Sequence, residues 1–133
     1  MPAPKMVVLC IEDEDLQLKA RKLLFESAGY EVVEARCATE AVDLFRGTRV
    51  DAVVMDYWLS GAGGNGTAAA EQMKKIDRHV PIVMLSTFTS LPGESTVVDM
   101  WMRKGETDPG LLLREVKRLI ELRMPSTGSD TGA

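Results

Sequence analysis

Four short apolar runs, separated by stretches of helical periodicity, constrain this chain more than any other feature. Met6–Ile11 carries Val7, Val8, Leu9 and Ile11; Glu31–Ala35 carries Val32 and Val33. Asp51–Met55 carries Ala52, Val53 and Val54; Pro81–Leu85 carries Ile82, Val83 and Met84. Each run is nearly continuous in apolar character rather than alternating, as in strands covered on both faces. Between them, Leu16, Ala20, Leu23 and Leu24 recur at helical spacing before Gly29, and Ala38, Ala41, Val42 and Phe45 before Gly47. Ala69, Met73 and Ile76 form a third stripe, and Leu112, Val116, Leu119 and Ile120 a last one. Asp108-Pro109 precedes that last stripe and supplies a helix cap and a proline at the first helical position. Alternating strands and helices predict an α/β domain, a parallel sheet with helices on both faces. Met100–Lys104 is the candidate for a fifth strand, at an edge.

Length and charge narrow the function. The 133 residues suit one domain, and the polar stretch Pro125–Ala133 has no apolar anchor and is expected to be disordered. The net charge is −4 and only 5% of residues are aromatic, so neither a basic stripe nor a stacking platform for nucleic acid is expected. The longest strongly apolar run, Met6–Ile11, is six residues, far short of a membrane span. No signal-peptide pattern is seen, so a cytoplasmic location without membrane contact is expected. Cys10 and Cys37 imply no disulfide framework and read as small buried hydrophobes. His79, the single histidine, reads as a surface residue.

In an open parallel sheet, sites form beyond the carboxyl ends of the strands. There the sequence sets Glu12, Asp13, Glu14 and Asp15 after the first strand, Asp56 after the third, Ser86 and Thr87 after the fourth, and Lys104 after the fifth. Glu14 and Asp15 are accounted for by the start of the following helix, whose dipole favours acids. Asp56 is different. It closes an apolar strand and precedes Tyr57 and Trp58, and a half-buried acid there needs a partner or a metal. Clustered carboxylates repel. A Mg²⁺ ion, which takes one or two carboxylates plus water and phosphate oxygens, would relieve that repulsion.

This set resembles the receiver domain of two-component response regulators. The resemblance spans residues 5–123, leaving 124–133 as tail. It rests on Glu12-Asp13, on VVMD ending at Asp56, on IVMLS ending at Ser86, on Lys104, and on Trp101 three residues before it. It implies a flavodoxin-like, five-stranded, doubly wound parallel sheet of order 2-1-3-4-5. It further implies that Asp56 accepts a phosphoryl group from a histidine kinase, a phosphotransfer protein or a small phosphodonor. Mg²⁺ would be held by Asp13, Asp56 and the Trp58 carbonyl, with Glu12 acting through a water. Ser86 and Lys104 would bind phosphoryl oxygens, and Ser86 with Trp101 would form the switch. The implied role is signalling rather than catalysis, beyond self-phosphorylation and self-dephosphorylation. A chain of this length leaves no room for an effector, so a stand-alone switch read out by an unidentified downstream protein is expected.

The sequence departs from that pattern. Glu12 replaces the commoner aspartate, and Ser60 stands at the usual proline of the loop after Asp56. Asn65-Gly66 comes late in that loop, which also carries Gly61, Gly63 and Gly64. The segment between Ser86 and Lys104 is short and includes Leu91-Pro92-Gly93, so a shortened or irregular fourth helix is expected. Gly105 replaces the proline that usually follows the lysine, and without a proline a cis bond costs about 3 kcal/mol, so a trans Lys104–Gly105 bond is expected. Trp58, Thr87 and Phe88 stand where bulk would obstruct water on its way to a phosphorylated Asp56. Two other functions fit parts of the pattern. One is a degenerate receiver that acts as a phosphorylation-independent adaptor; the other is a Mg²⁺-dependent phosphohydrolase using Asp13.

Overall fold

The computed structural model describes residues 4–61, 64–87, 97–105 and 108–123. Five parallel strands form one sheet: β1 (Val7–Ile11), β2 (Glu31–Ala35), β3 (Ala52–Asp56), β4 (Ile82–Ser86) and β5 (Met100–Arg103). Among the described residues, four helices pack on it: α1 (Asp15–Ser27), α2 (Ala38–Gly47), α3 (Gly66–Ile76) and α4 (Pro109–Arg123). The strand order is β2-β1-β3-β4-β5, as the resemblance implies. The expected short fourth helix, Phe88 and the 124–133 tail lie outside the described residues.

Why the strands are continuous in apolar residues is plain from their burial. Every residue of β1, β3 and β4 is buried, whereas the edge strands β2 and β5 are only partly so. One core, under α2 and α3, holds Leu9, Ile11, Val53, Met55, Ile82 and Met84. The other, under α1 and α4, holds Val8, Cys10, Val54, Val83, Phe25 and Val116. Successive side chains of a strand point to opposite faces, so each strand feeds both cores.

The helix faces follow the expected stripes in α2 (Ala38, Ala41, Val42, Phe45) and in α4 (Leu112, Val116, Ile120). In α3, Ala69 and Met73 are buried, while Ile76 is exposed. Helix α1 corrects the expectation. Its buried face is Leu18, Arg21 and Phe25, whereas Leu16 and Leu23 are 78% and 67% exposed. An apolar count scores arginine as polar and therefore turns the inner face away from it. The helix instead buries Arg21 because carboxylates wait beneath it.

Candidate functional site

The sheet registers bring the site together. β1 lies beside β3, so Glu12 and Asp13, which follow β1, come next to Asp56 at the end of β3. β4 lies beside β3 and β5 beside β4, with Ser86 opposite Arg103. The Lys104 main-chain N–H donates to the Ser86 carbonyl at 2.7 Å, extending this ladder by one bond. Lys104 thus leaves the sheet aimed along its carboxyl edge. The Lys104–Gly105 bond is trans, and Gly105 takes φ +86°, a conformation closed to the proline usual at this position.

Lys104 Nζ lies 2.5 Å from Asp56 Oδ2 and 2.8 Å from Glu12 Oε1, so one ammonium bridges two carboxylates. Glu12 is only 1% exposed and Asp56 is buried. Burial, then the hydrogen-bonding contact with Glu12, push the Asp56 carboxyl up to about 7, against the opposing pull of Lys104. Burial on its own would lower the Lys104 pKa; its bonds to Asp56 and Glu12 outweigh that and hold it above the usual lysine value.

Asp13 is exposed and faces the loop after β3. The Ser60 hydroxyl donates to Asp13 Oδ2 at 2.6 Å and the Ser60 N–H to the same oxygen at 3.1 Å. The hydroxyl bond is the main reason that the Asp13 carboxyl sits below its ordinary value. The loop is held at its far end by Asn65, whose side chain accepts from the Ala68 N–H and caps α3. Gly66 then packs so closely that a Cβ there would lie 2.5 Å from the Asp56 carbonyl and 2.6 Å from Met84 Sδ. The late Asn65-Gly66 pair is therefore the start of α3, seated on the end of β3.

Glu12, Asp13, Asp56, Trp58, Thr87 and Lys104 line one small cavity of about 90 Å³. Ser86, buried at the end of β4, holds Lys104 through its carbonyl, while Thr87 represents that segment in the cavity wall. Trp101 lies away from the cavity, its ring 5.9 Å from that of Tyr57, which in turn meets Trp58 at 4.9 Å. Three aromatic rings thus run from the cavity wall to β5. Glu14 stands at the N-cap position of α1 without a capping side-chain bond, its carboxylate accepting from the Gln17 amide at 2.9 Å, and it also lines the cavity. Asp15, in the first turn, pairs with Arg36 at 2.7 Å on the surface.

Two participants escape a reading of the sequence. Arg21 Nη2 lies 3.4 Å from Glu12 Oε1 and 3.9 Å from Asp56 Oδ1. Its signal was its place three residues after Leu18 and four before Phe25, on the buried face. Ser60 carries a hydroxyl where the resembled family has a proline, and that hydroxyl was the available signal.

The donor set suits a hard divalent cation. Glu12, Asp13 and Asp56 each offer an oxygen within 4.8 Å of the others. Asp56 Oδ1 is buried without a hydrogen-bond partner among the described residues, an acceptor left over for a cation. Carboxylate oxygens of this kind match the preference of Mg²⁺.

A family model described as response regulator receiver domain matches residues 8–104. The polar-differentiation response regulator DivK of Brucella anthropi is 32% identical over 96 residues, covering 71% of this chain and 76% of that protein. A response regulator receiver protein from Sinorhizobium medicae superposes with a TM-score of 0.83 at 24% identity, over 90% of this chain and 98% of that one. Response regulator TrrA of Thermotoga maritima, solved in complex with Mg²⁺–BeF, superposes with a TM-score of 0.78 at 23% identity, over 86% and 98%. With the sheet order, the acidic cluster and the bridging lysine already in place, the family match settles membership: this chain belongs to the response regulator receiver domain family.

Proposed function

We propose that this receiver domain is a phosphoryl-accepting switch, phosphorylated on Asp56 and read out by protein binding. The observation that carries this is the Lys104 ammonium bridging Asp56 and Glu12 at the carboxyl edge of the sheet. Lys104 favours the charged form of Asp56, which burial and Glu12 oppose, and the nucleophile is that carboxylate. Asp13 and Asp56, with the Trp58 carbonyl and with Glu12 through a water, would hold Mg²⁺. When bound, the ion supplies positive charge against the oxygens of the transferring phosphoryl group. Lys104 and Ser86 would hydrogen-bond those oxygens. Trp58 and Thr87, both in the cavity wall, would limit access of water to the acyl phosphate.

The donor would be a histidine kinase or a phosphotransfer protein, and the output a downstream protein target. Contact of Trp101 with Tyr57, next to the acceptor, supports a readout through β5 and α4. The test is incubation with Mg²⁺ and acetyl phosphate followed by intact mass. One phosphate adduct on the wild type, absent from Asp56→Asn, is expected. An unmodified wild type would overturn the proposal in favour of a phosphorylation-independent adaptor. Steady turnover of a phosphomonoester would instead favour a hydrolase.

A further inference from the structure

Arg21 is the feature of the site that the switch mechanism leaves unused. Its side chain is 8% exposed and carries a guanidinium cation. Burying that charge is costly unless carboxylates compensate. Here they do so only loosely. Arg21 Nη2 sits 3.4 Å from Glu12 and 3.9 Å from Asp56, with no bidentate pair, and Nη1 is buried with no hydrogen-bond partner among the described residues. Lys104 grips the same two carboxylates at 2.8 and 2.5 Å. Of the two cations on one pair of acids, Arg21 is the weakly held one.

We propose that Arg21 is a built-in competitor for the metal, a resident cation that occupies Glu12 and Asp56 and releases them when a divalent ion enters. This rests on the metal-binding role proposed above for the acidic cluster. Among the described residues the cluster joins three carboxylates, Glu12, Asp13 and Asp56, to two cations, so with all groups ionised it carries one negative charge. Without Arg21 it carries two, and a dication gains attraction and loses a neighbouring like charge. Arg21 also has somewhere to go. It lines a groove of about 540 Å³ between α1 and α4, whose walls include Ala20, Leu24, Leu85 and Leu112 together with the charged Arg103 and Lys104 at the end of β5. An arginine can lay its methylene stem along such apolar walls as its head withdraws. The divalent affinity of this chain is therefore set from α1, by a residue that is not itself a ligand.

The test compares Mn²⁺ and Mg²⁺ dissociation constants of wild type, Arg21→Met and Arg36→Gln by calorimetry. Arg36 pairs with Asp15 on the surface and controls for net charge. Arg21→Met is expected to bind both ions ~10-fold or more tightly than wild type, and Arg36→Gln to match wild type to within ~2-fold. Equal or weaker binding by Arg21→Met overturns the proposal, as does an equal gain in Arg36→Gln. The Arg21 Nε–H resonance of the wild-type protein gives a second readout that needs no variant. It is expected to shift as Mg²⁺ saturates, and an unmoved resonance at saturation also overturns the proposal. If the wild type gains its phosphate adduct while the Arg21 results fail, only the competitor role falls. If neither wild type nor Arg21→Met binds a metal, both proposals fall.

Discussion

The Ser60 hydroxyl donates to Asp13 at 2.6 Å, so the loop after β3 is tied to the end of β1 by a bond to a carboxylate. A proline at this position would offer neither the hydroxyl nor the N–H. The bond favours ionised Asp13 and holds its carboxyl below the ordinary value. In Ser60→Ala the Asp13 carboxyl is expected to return towards that ordinary value, as read by NMR titration. The sign follows from linkage: a depressed folded-state pKa stabilises above the unfolded pKa and is lost as pH falls through the folded one. Ser60→Ala should thus cost under ~1 kcal/mol at neutral pH, since Asp13 is exposed, and almost nothing in strong acid. An undiminished difference at low pH would show that the hydroxyl acts elsewhere.

Asp56 behaves in the opposite sense. Its carboxyl is raised to about 7, by burial first and by Glu12 next. Between the ordinary carboxylate range and about 7 the folded state holds a proton that the unfolded chain has lost, so stability falls as pH rises through that window. Asp56→Asn removes the titration. In metal-free buffer the variant is expected to be more stable than wild type at pH 8, by ~1 kcal/mol or about 4 °C in Tm, and nearly equal to it at pH 4. Thermal melts at the two pH values check this; a gap of the same size at both would refute it.

Gly66 is required by contact rather than by backbone conformation. A Cβ would collide with the Asp56 carbonyl and with Met84 Sδ, and one of the two clashing groups is main chain. Gly66→Ala should therefore cost about 2–3 kcal/mol, as overpacking does in a dense core. Urea denaturation measures it, and a neutral result would place the start of α3 further from β3.

Trp58 and Thr87 both line the cavity that holds Asp56. Given phosphorylation, Trp58→Ala should speed the loss of phosphate from Asp56 by roughly 3- to 10-fold, about 1 kcal/mol of barrier. The decay of the adduct in intact mass spectra reads this directly. An unchanged half-life would show that water reaches the acyl phosphate by another route.

Much of the fold was legible in the residue order. Uninterrupted apolar runs marked β1, β3 and β4 because both faces of those strands are covered, and the strand–helix alternation fixed the parallel class. The ends of the runs placed Glu12, Asp13, Asp56, Ser86 and Lys104 on one edge, since parallel strands all point the same way. What periodicity misplaced was the inner face of α1. Leu16 and Leu23 looked like core, yet they are exposed, and Arg21 is inside.

The sequence alone therefore determined the parallel α/β class and the chemical types at the sheet edge, because both follow from local pattern and strand direction; the strand order came with the family resemblance. Tertiary structure decided how those groups pair. Only in three dimensions does Lys104 span two acids, Ser60 reach Asp13 across 47 positions, and Arg21 come to face Glu12 and Asp56. The reason is physical. A buried charge takes its place from the partners around it, and those partners come from distant segments that no local periodicity relates.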